Sequence, residues 1–248
     1  MPDILQIVVA TIAMFVGSII AGTAGFGMGM TASPFMLLVL DPRTVVVISN
    51  AMGIAVFTVV LYQSRRALPV KEMSVIAVVG LVGTPVGVFA LSTVSTNLLR
   101  IGILVLIMFT AIAVVSNAGT IFGKSKTIGP VVGFVVGAII AAFGIGGPLM
   151  VLYLLARGWS SQMLRASMSF FFLINMFTGV VGYVVTGLYT KERVVLTLIV
   201  AVPVLIGFSL GGLLLKKLDE NTFRQGVIAV ILFTSTMTLA WELFHLAS

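Results

Sequence analysis

The chain is short of charged residues, cysteine and histidine, and each shortage excludes a class of protein. Only 8% of the 248 residues are charged while 60% are hydrophobic, and the mean hydropathy is +1.25, which a water-soluble globular protein does not carry. The absence of cysteine excludes a disulfide framework, a thiolate metal site and a cysteine nucleophile. A single histidine, His245, excludes a multi-histidine metal cluster.

Acidic residues are also scarce, and none lies in the middle of an apolar run. The seven are Asp3, Asp41, Glu72, Glu192, Asp219, Glu220 and Glu242. An enzyme inside a membrane would need a nucleophile with a base, or a metal site, and the chain offers neither in a central position. We therefore predict no catalytic residue, no bound metal and no cofactor, and no buried carboxylate that could carry protons.

Apolar runs dominate what remains. Ten can be counted, at residues 4–21, 31–40, 44–62, 73–91, 98–117, 127–143, 149–156, 166–187, 194–215 and 223–246. Crossing a bilayer takes about 20 apolar residues, so the second and seventh runs are too short for straight membrane helices. Each of these follows a glycine-rich stretch, as an arm of a broken or re-entrant helix does. The prediction is an all-α, polytopic membrane protein whose surroundings are the lipid bilayer.

The two halves of the chain resemble each other. Gly83, Gly87, Asn97, Arg100 and Gly102 recur 124 residues later as Gly207, Gly211, Asn221, Arg224 and Gly226. This spacing predicts a duplication into repeats 1–123 and 124–248, each of about five helical segments, within a single membrane domain. Chance matching among the 26 glycines is the alternative. We assign the Gly-xxx-Gly pairs at residues 83–87 and 207–211 to close helix packing.

The basic residues predict how the chain is oriented. If the connection at residues 65–71 is cytoplasmic and every run crosses the membrane, ten of the 14 Lys and Arg residues are cytoplasmic and four are not. Both termini would then lie outside, and the second repeat would be inverted relative to the first. This count treats the two short arms as full returns. The net charge of +7 forms no basic stripe, so we expect no nucleic-acid partner.

Two glycine-rich stretches are the best candidates for a binding site. We call residues 21–29 the first break and residues 143–148 the second break. Where a helix breaks inside a membrane, its unpaired backbone N–H and C=O groups are tolerated only when they are buried in protein or face a water-filled cavity. Where the short arms restart, near residues 31–34 and at Pro148, free N–H groups and the positive helix end would hold an anion. Packing of small residues is the alternative for each glycine.

The predicted substrate-binding residues come from these breaks and from nearby polar side chains. They are Thr23, Gly25, Gly27, Ser33, Asn50, Gly144, Gly146, Gly147 and Asn175. Asn50 and Asn175 lie within apolar runs, where an unpaired amide is costly. Hydrogen bonding between helices is the alternative function for both amides.

The motifs at these breaks resemble those of the sulfite exporter TauE/SafE family of membrane permeases. They are Gly25-Phe26-Gly27-Met28-Gly29 with Pro34, and Gly144-Ile145-Gly146-Gly147-Pro148 leading into Leu152-Tyr153-Leu154-Leu155. Met28 departs from the family pattern, in which glycine is common at this position. The resemblance implies about eight spans and the movement of sulfur oxyanions or organosulfonates, such as sulfite or sulfoacetate, across a bacterial inner membrane.

Residues and resemblance together predict a small-anion transporter that works by alternating access. An anion channel and a structural membrane subunit without transport of its own are the competing hypotheses. The identity of the anion, the direction of transport, the driving force and the formation of a homodimer stay open.

Overall fold

The computed structural model describes residues 2–115 and 128–214, and the elements in these two ranges are helical. The α-helices are α1 (Ile4–Ala24), α2 (Met28–Met36), α3 (Pro42–Ser64), α4 (Val70–Thr93), α5 (Thr96–Val115), α6 (Gly129–Phe143), α7 (Gly147–Ala156), α8 (Ser161–Val185) and α9 (Lys191–Leu214). A short 3-10 turn, Arg65–Ala67, connects α3 to α4. Nine predicted runs are thereby confirmed as helices, and the tenth, at 223–246, lies outside the described residues.

Five of the described helices are long and apolar enough to cross a membrane. They are α1, α3, α4, α8 and α9. Large apolar side chains on their outer faces are exposed, as at Phe89 (68%) and Val185 (80%), which suits contact with lipid rather than water. The helices α2 and α7 have only nine and ten residues, so neither can span a bilayer as a straight helix. The predicted polytopic, all-α membrane protein is confirmed.

Local sequence signals explain where several helices begin and end. Asp3 caps α1 in a reciprocal capping box with Gln6, and Asp41 caps α3 by accepting from the Thr44 amide. Gly25 and Gly144 end α1 and α6 in the left-handed conformation, with φ of 81° and 70°. Only glycine adopts this conformation without steric cost, so α1 and α6 both stop at a break.

Glycines bring the long helices into close contact. The helix α1 packs along α9, α4 packs along α6, and α3 packs against α8. A Cβ atom placed on Gly83 or Gly87 would overlap the carbonyl oxygens of Phe134 or Ala138 in α6. A Cβ atom on Gly211 would overlap the carbonyl oxygen of Ile19 in α1. The packing role predicted for both Gly-xxx-Gly pairs is therefore confirmed.

Polar contacts show which connections share an end of the bundle. At one end, Asp41 pairs with Arg193 at 3.1 Å, and Arg43 donates to the Val94 carbonyl oxygen at 2.9 Å. We call this the Asp41 end. At the other, the Glu72 end, Glu72 pairs with Arg157 at 2.8 Å. This grouping is the one that alternate crossing predicts for these connections.

The short helix α2 runs back along α1. The Met28 carbonyl oxygen lies 2.7 Å from the position of a Cβ atom on Gly17, and the Gln6 amide donates to the Val39 carbonyl oxygen at 3.2 Å. The turn after α2 therefore lies beside the start of α1, at the Asp41 end. Over α1 and α2 together, the chain thus leaves the Asp41 end and comes back to it; that the first short arm is a full crossing stays a prediction. The basic residues Lys124, Lys126, Lys216, Lys217 and Arg224 lie outside the described residues.

Adjacent glycines in α9 provide a matched test of the packing. Gly211→Ala should destabilise the protein by about 1–3 kcal/mol, because the methyl group would overlap the α1 backbone. Among the described residues, none has an atom within 4 Å of the Cβ position of Gly212. Gly212→Ala should therefore leave stability unchanged or raise it by up to about 1 kcal/mol. Thermal unfolding in detergent measures both variants, and equal effects would contradict the assigned α1–α9 contact.

The ion pair at the Glu72 end can be tested by charge reversal. Glu72→Arg places a second cation beside Arg157, whose side chain is only 9% exposed. The expected cost lies between about 1 kcal/mol for an exposed pair and about 3 kcal/mol for a buried one. Adding Arg157→Glu should restore part of the lost stability. The restoration is incomplete because Arg157 also donates to the Tyr153 hydroxyl group at 3.1 Å, and a glutamate loses this bond. The test is the melting temperature, and a double reversal no better than the sum of both single changes would refute the pairing.

Candidate functional site

The two breaks meet inside the bundle. A Cβ atom on Gly29 would lie 2.6 Å from the Gly144 carbonyl oxygen, and one on Gly147 would lie 3.3 Å from a ring carbon of Phe26. At 2.6 Å even a methyl group would force the backbones apart. Glycine at position 29 is thus what allows the first break to touch the second.

A small cavity lies where they meet. Its volume is about 40 Å³, and it is lined by residues 26–30 and 144–148 together with Ser49, Phe57, Ile140, Phe172 and Met176. A buried water molecule needs roughly 10–15 Å³ on this measure, so the space would hold about three. Ser49 and Phe57 lie on either side of the middle of α3, and Phe172 and Met176 lie near the middle of α8. The cavity is therefore at mid-height in the bundle.

Two helices start at this cavity. Gly27, with φ of 97°, is the N-cap of α2, and Gly146 is the N-cap of α7. The first N–H groups of any α-helix have no partner within the helix, and the helix dipole adds partial positive charge there. The opening residues of both helices line the cavity. Pro148, which has no N–H group to lose, occupies the first turn of α7 as predicted.

One prediction about the first break was wrong. The restart of the short arm was expected near residues 31–34, but α2 begins at Met28. The left-handed Gly27 reverses the chain earlier than the apolar pattern indicated, and Pro34 lies inside α2. The free amides therefore belong to the residues from Met28 onward.

Ser49 lines the cavity and has a buried hydroxyl group. The residue is 2% exposed, it is one of the lining residues, and its Oγ has no hydrogen-bond partner among the described residues. Burying a hydroxyl group without a partner costs about 1–3 kcal/mol. A ligand with acceptor oxygens would supply the missing partner.

Asn50 lies behind the second break. Its Nδ2 donates to the Val46 carbonyl oxygen at 3.0 Å and to the Ile140 carbonyl oxygen at 3.2 Å. It also lies 3.8 Å from the Cβ position of Gly144. The side chain is fully buried and is not among the cavity-lining residues. Asn50 thus ties α3 to the last turn of α6, and this bond fixes the position of the break.

Asn175 is placed differently. Its Nδ2 donates to the Phe171 carbonyl oxygen at 2.8 Å, and its Oδ1 accepts from Thr84 at 3.0 Å. The bond from Thr84 joins α4 to α8, whereas the bond to Phe171 lies within α8. Asn175 is not a lining residue of the cavity. Hydrogen bonding between helices, the alternative to substrate binding, therefore describes the observed contacts of Asn175. Substrate contact at this residue stays a prediction.

The other predicted residues divide between the cavity and its surroundings. Those that line the cavity are Gly27, Gly144, Gly146 and Gly147. Gly25 ends α1 one residue before the lining begins, and Ser33 is fully buried within α2. Thr23 is in the last turn of α1, and its side chain is not among those described. Sequence reasoning missed the apolar walls Phe26, Phe57, Phe172 and Met176, because nothing distinguishes them from other apolar residues.

Comparison with known families identifies the chain. The family model described as Sulfite exporter TauE/SafE matches residues 9–238. The chain belongs to this family. Neither the curated proteins nor the solved structures gave a match. Membership agrees with the apolar helices described above, and TauE/SafE proteins are membrane transporters.

A double-mutant cycle tests the Thr84–Asn175 hydrogen bond of this TauE/SafE member through its stability, without a substrate. Thr84→Val and Asn175→Leu should each lower the melting temperature in detergent, and the double variant should lose less than the sum. The expected coupling is about 0.6 kcal/mol and at most about 1.7 kcal/mol, as for other hydrogen bonds between membrane helices. Strict additivity would mean that the two side chains do not interact in the folded protein.

Proposed function

We propose that the chain is a permease for small anions that holds its substrate in the cavity between the two breaks. The expected substrates are sulfur oxyanions or organosulfonates such as sulfite or sulfoacetate. The observation that carries the proposal is that two helix N-termini line one cavity at mid-height. Transporters with interrupted helices bind anionic groups at such ends.

The cavity suits a negative solute without carrying a charge of its own. Every lining residue named above is uncharged, and the polar groups on offer are backbone amides and the Ser49 hydroxyl. Backbone N–H groups at a helix start are donors, and they bind oxyanions without a desolvated counter-ion. A cation would find the wrong end of both helix dipoles. These properties support an anion over a cation as the substrate.

The size of the cavity supports a compact substrate in this conformation. Space for about three water molecules matches an ion with a few non-hydrogen atoms, such as sulfite. The rings of Phe26, Phe57 and Phe172 form apolar walls. An organosulfonate such as sulfoacetate would need these walls to move apart.

Alternating access is the mechanism we infer, with residues 1–123 and 124–248 as inverted repeats. The helix α1 of the first half packs on α9 of the second half, and α6 of the second half packs on α4 of the first. This reciprocal pairing, with α3 and α8 between the two pairs, supports two equivalent halves. In this proposal the Glu72 end faces the cytoplasm of a bacterium and the Asp41 end faces outward, as the basic residues predict. Rocking of one half against the other would open the cavity to each side in turn.

Counterflow distinguishes this proposal from its alternatives. Purified protein in liposomes loaded with unlabelled sulfite should accumulate labelled sulfite transiently, and the initial rate should saturate with concentration. A channel gives flux without this exchange, and a structural subunit gives none. Absence of counterflow with sulfite, sulfoacetate and simple carboxylates would overturn the proposed function.

Ser49 and Ser167 provide a matched pair of variants for locating the site. Both hydroxyl groups are buried and lack a partner among the described residues, but only Ser49 lines the cavity. Ser49→Ala should raise the KM for sulfite about tenfold, the effect of losing one hydrogen bond to a charged ligand. Ser167→Ala should leave KM unchanged, and neither variant should melt below the parent when empty. An unchanged KM in Ser49→Ala would remove this residue from the site.

A further inference from the structure

An arginine lies against the first break. Cγ and Nε of Arg165 are 3.3 Å and 3.4 Å from the Cβ position of Gly25. Gly25 immediately precedes Phe26, the first lining residue of the cavity. The absence of a side chain on Gly25 is what allows the guanidinium stem to cross the chain here. The arginine is partly buried, within α8 and near the Glu72 end.

Arg165 also lies on the cavity side of α8. Phe172 and Met176, which line the cavity, follow it by seven and eleven residues. These spacings place all three side chains on one face of an α-helix. Arg165 is about 10 Å from Phe172 along the helix axis, at a rise of about 1.5 Å per residue. It therefore lies between the Glu72 end and the cavity.

The second break has no such cation at the comparable position. Arg165 is the fifth residue of α8, and the fifth residue of α3 is Val46. The Val46 Cα lies 3.5 Å from the Cβ position of Gly144. The two breaks are thus contacted at the same turn of α8 and α3, by an arginine in one case and by a fully buried valine in the other. At this comparable position, the positive charge is on the α8 side.

We propose that Arg165 is the residue that selects and receives the anion on the Glu72 side of the cavity. This inference rests on the proposed function and adds to it a charged residue and a direction. A guanidinium group binds an oxyanion through two parallel hydrogen bonds, and partial burial strengthens the attraction. From Arg165 the anion passes along the face of α8 to the uncharged amides at the helix starts. Val46, at the comparable position of α3, carries no charge.

Kinetics of labelled sulfite in vesicles of both orientations test Arg165. Arg165→Gln should raise the KM for sulfite presented at the Glu72 end about tenfold, with a much smaller change at the Asp41 end. The maximal rate should change by less than about twofold, since the cavity itself is unaltered. Arg165→Lys keeps the charge but loses the paired hydrogen bonds, so its KM should be intermediate.

Ionic strength provides a readout that a structural role would not change. Added salt screens the attraction of an anion to a partly exposed cation, so KM in the parent should rise with salt. Arg165→Gln should show a weaker salt dependence. Arg66→Gln is the matched control, because Arg66 is an exposed arginine at the same end. If Arg66→Gln reproduces the effects of Arg165→Gln, or if the latter leaves KM and its salt dependence unchanged, the proposal is overturned.

A binding measurement separates this inference from the proposed function. Sulfite should raise the melting temperature of the purified parent protein, because a ligand that binds only the folded state stabilises it. The shift should be lost or greatly reduced in Arg165→Gln and kept in Arg66→Gln, even if no flux is found. An equal shift in Arg165→Gln overturns the role of Arg165 alone. No shift in the parent, with no counterflow, overturns both proposals.

Discussion

The structure depends on the requirement that backbone polar groups inside a bilayer find partners. A continuous helix meets this requirement by itself, whereas a helix that stops inside the bundle does not. Here α1 and α6 both stop at a left-handed glycine, and the helices that restart after them begin at a shared cavity. Each break covers part of the other, since Gly29 contacts the Gly144 carbonyl group and Phe26 covers Gly147. The remaining unpaired backbone groups at the two helix starts face the cavity.

Much of the architecture could be predicted because the membrane makes the sequence pattern strong. Long apolar runs specify helices, and the short runs after glycines specified α2 and α7. The Gly-xxx-Gly pairs indicated close packing, and the overlap of a Cβ atom on Gly87 with the Ala138 carbonyl oxygen shows why glycine is needed. Pro148 marked the start of α7 correctly. The start of α2 was predicted too late, because the left-handed Gly27 and not the apolar run sets where this helix begins.

The site was harder to predict than the fold, because its members are decided by contacts between distant segments. Asn50 and Asn175 look alike in the sequence, yet one bonds Ile140 behind the second break and the other bonds Thr84 on α4. Ser49 stands out only once its unpartnered hydroxyl group is seen at the cavity. Arg165 lies next to a connection in the sequence, and only the path of α8 past Gly25 brings it to the break. Periodicity specifies the face of a helix but not the neighbour that this face meets.

The contact between Gly29 and Gly144 has a consequence for how the chain could be divided. The segment up to residue 115 supplies one wall of the cavity, and the segment from residue 128 supplies the facing wall. The closely packed helix pairs α1–α9 and α4–α6 also join these two segments. Neither segment lines this cavity alone. Under the proposed duplication, an ancestor of half the length would have had to assemble from two copies in opposite orientations, and fusion into one polypeptide would have freed each copy to acquire its own residues.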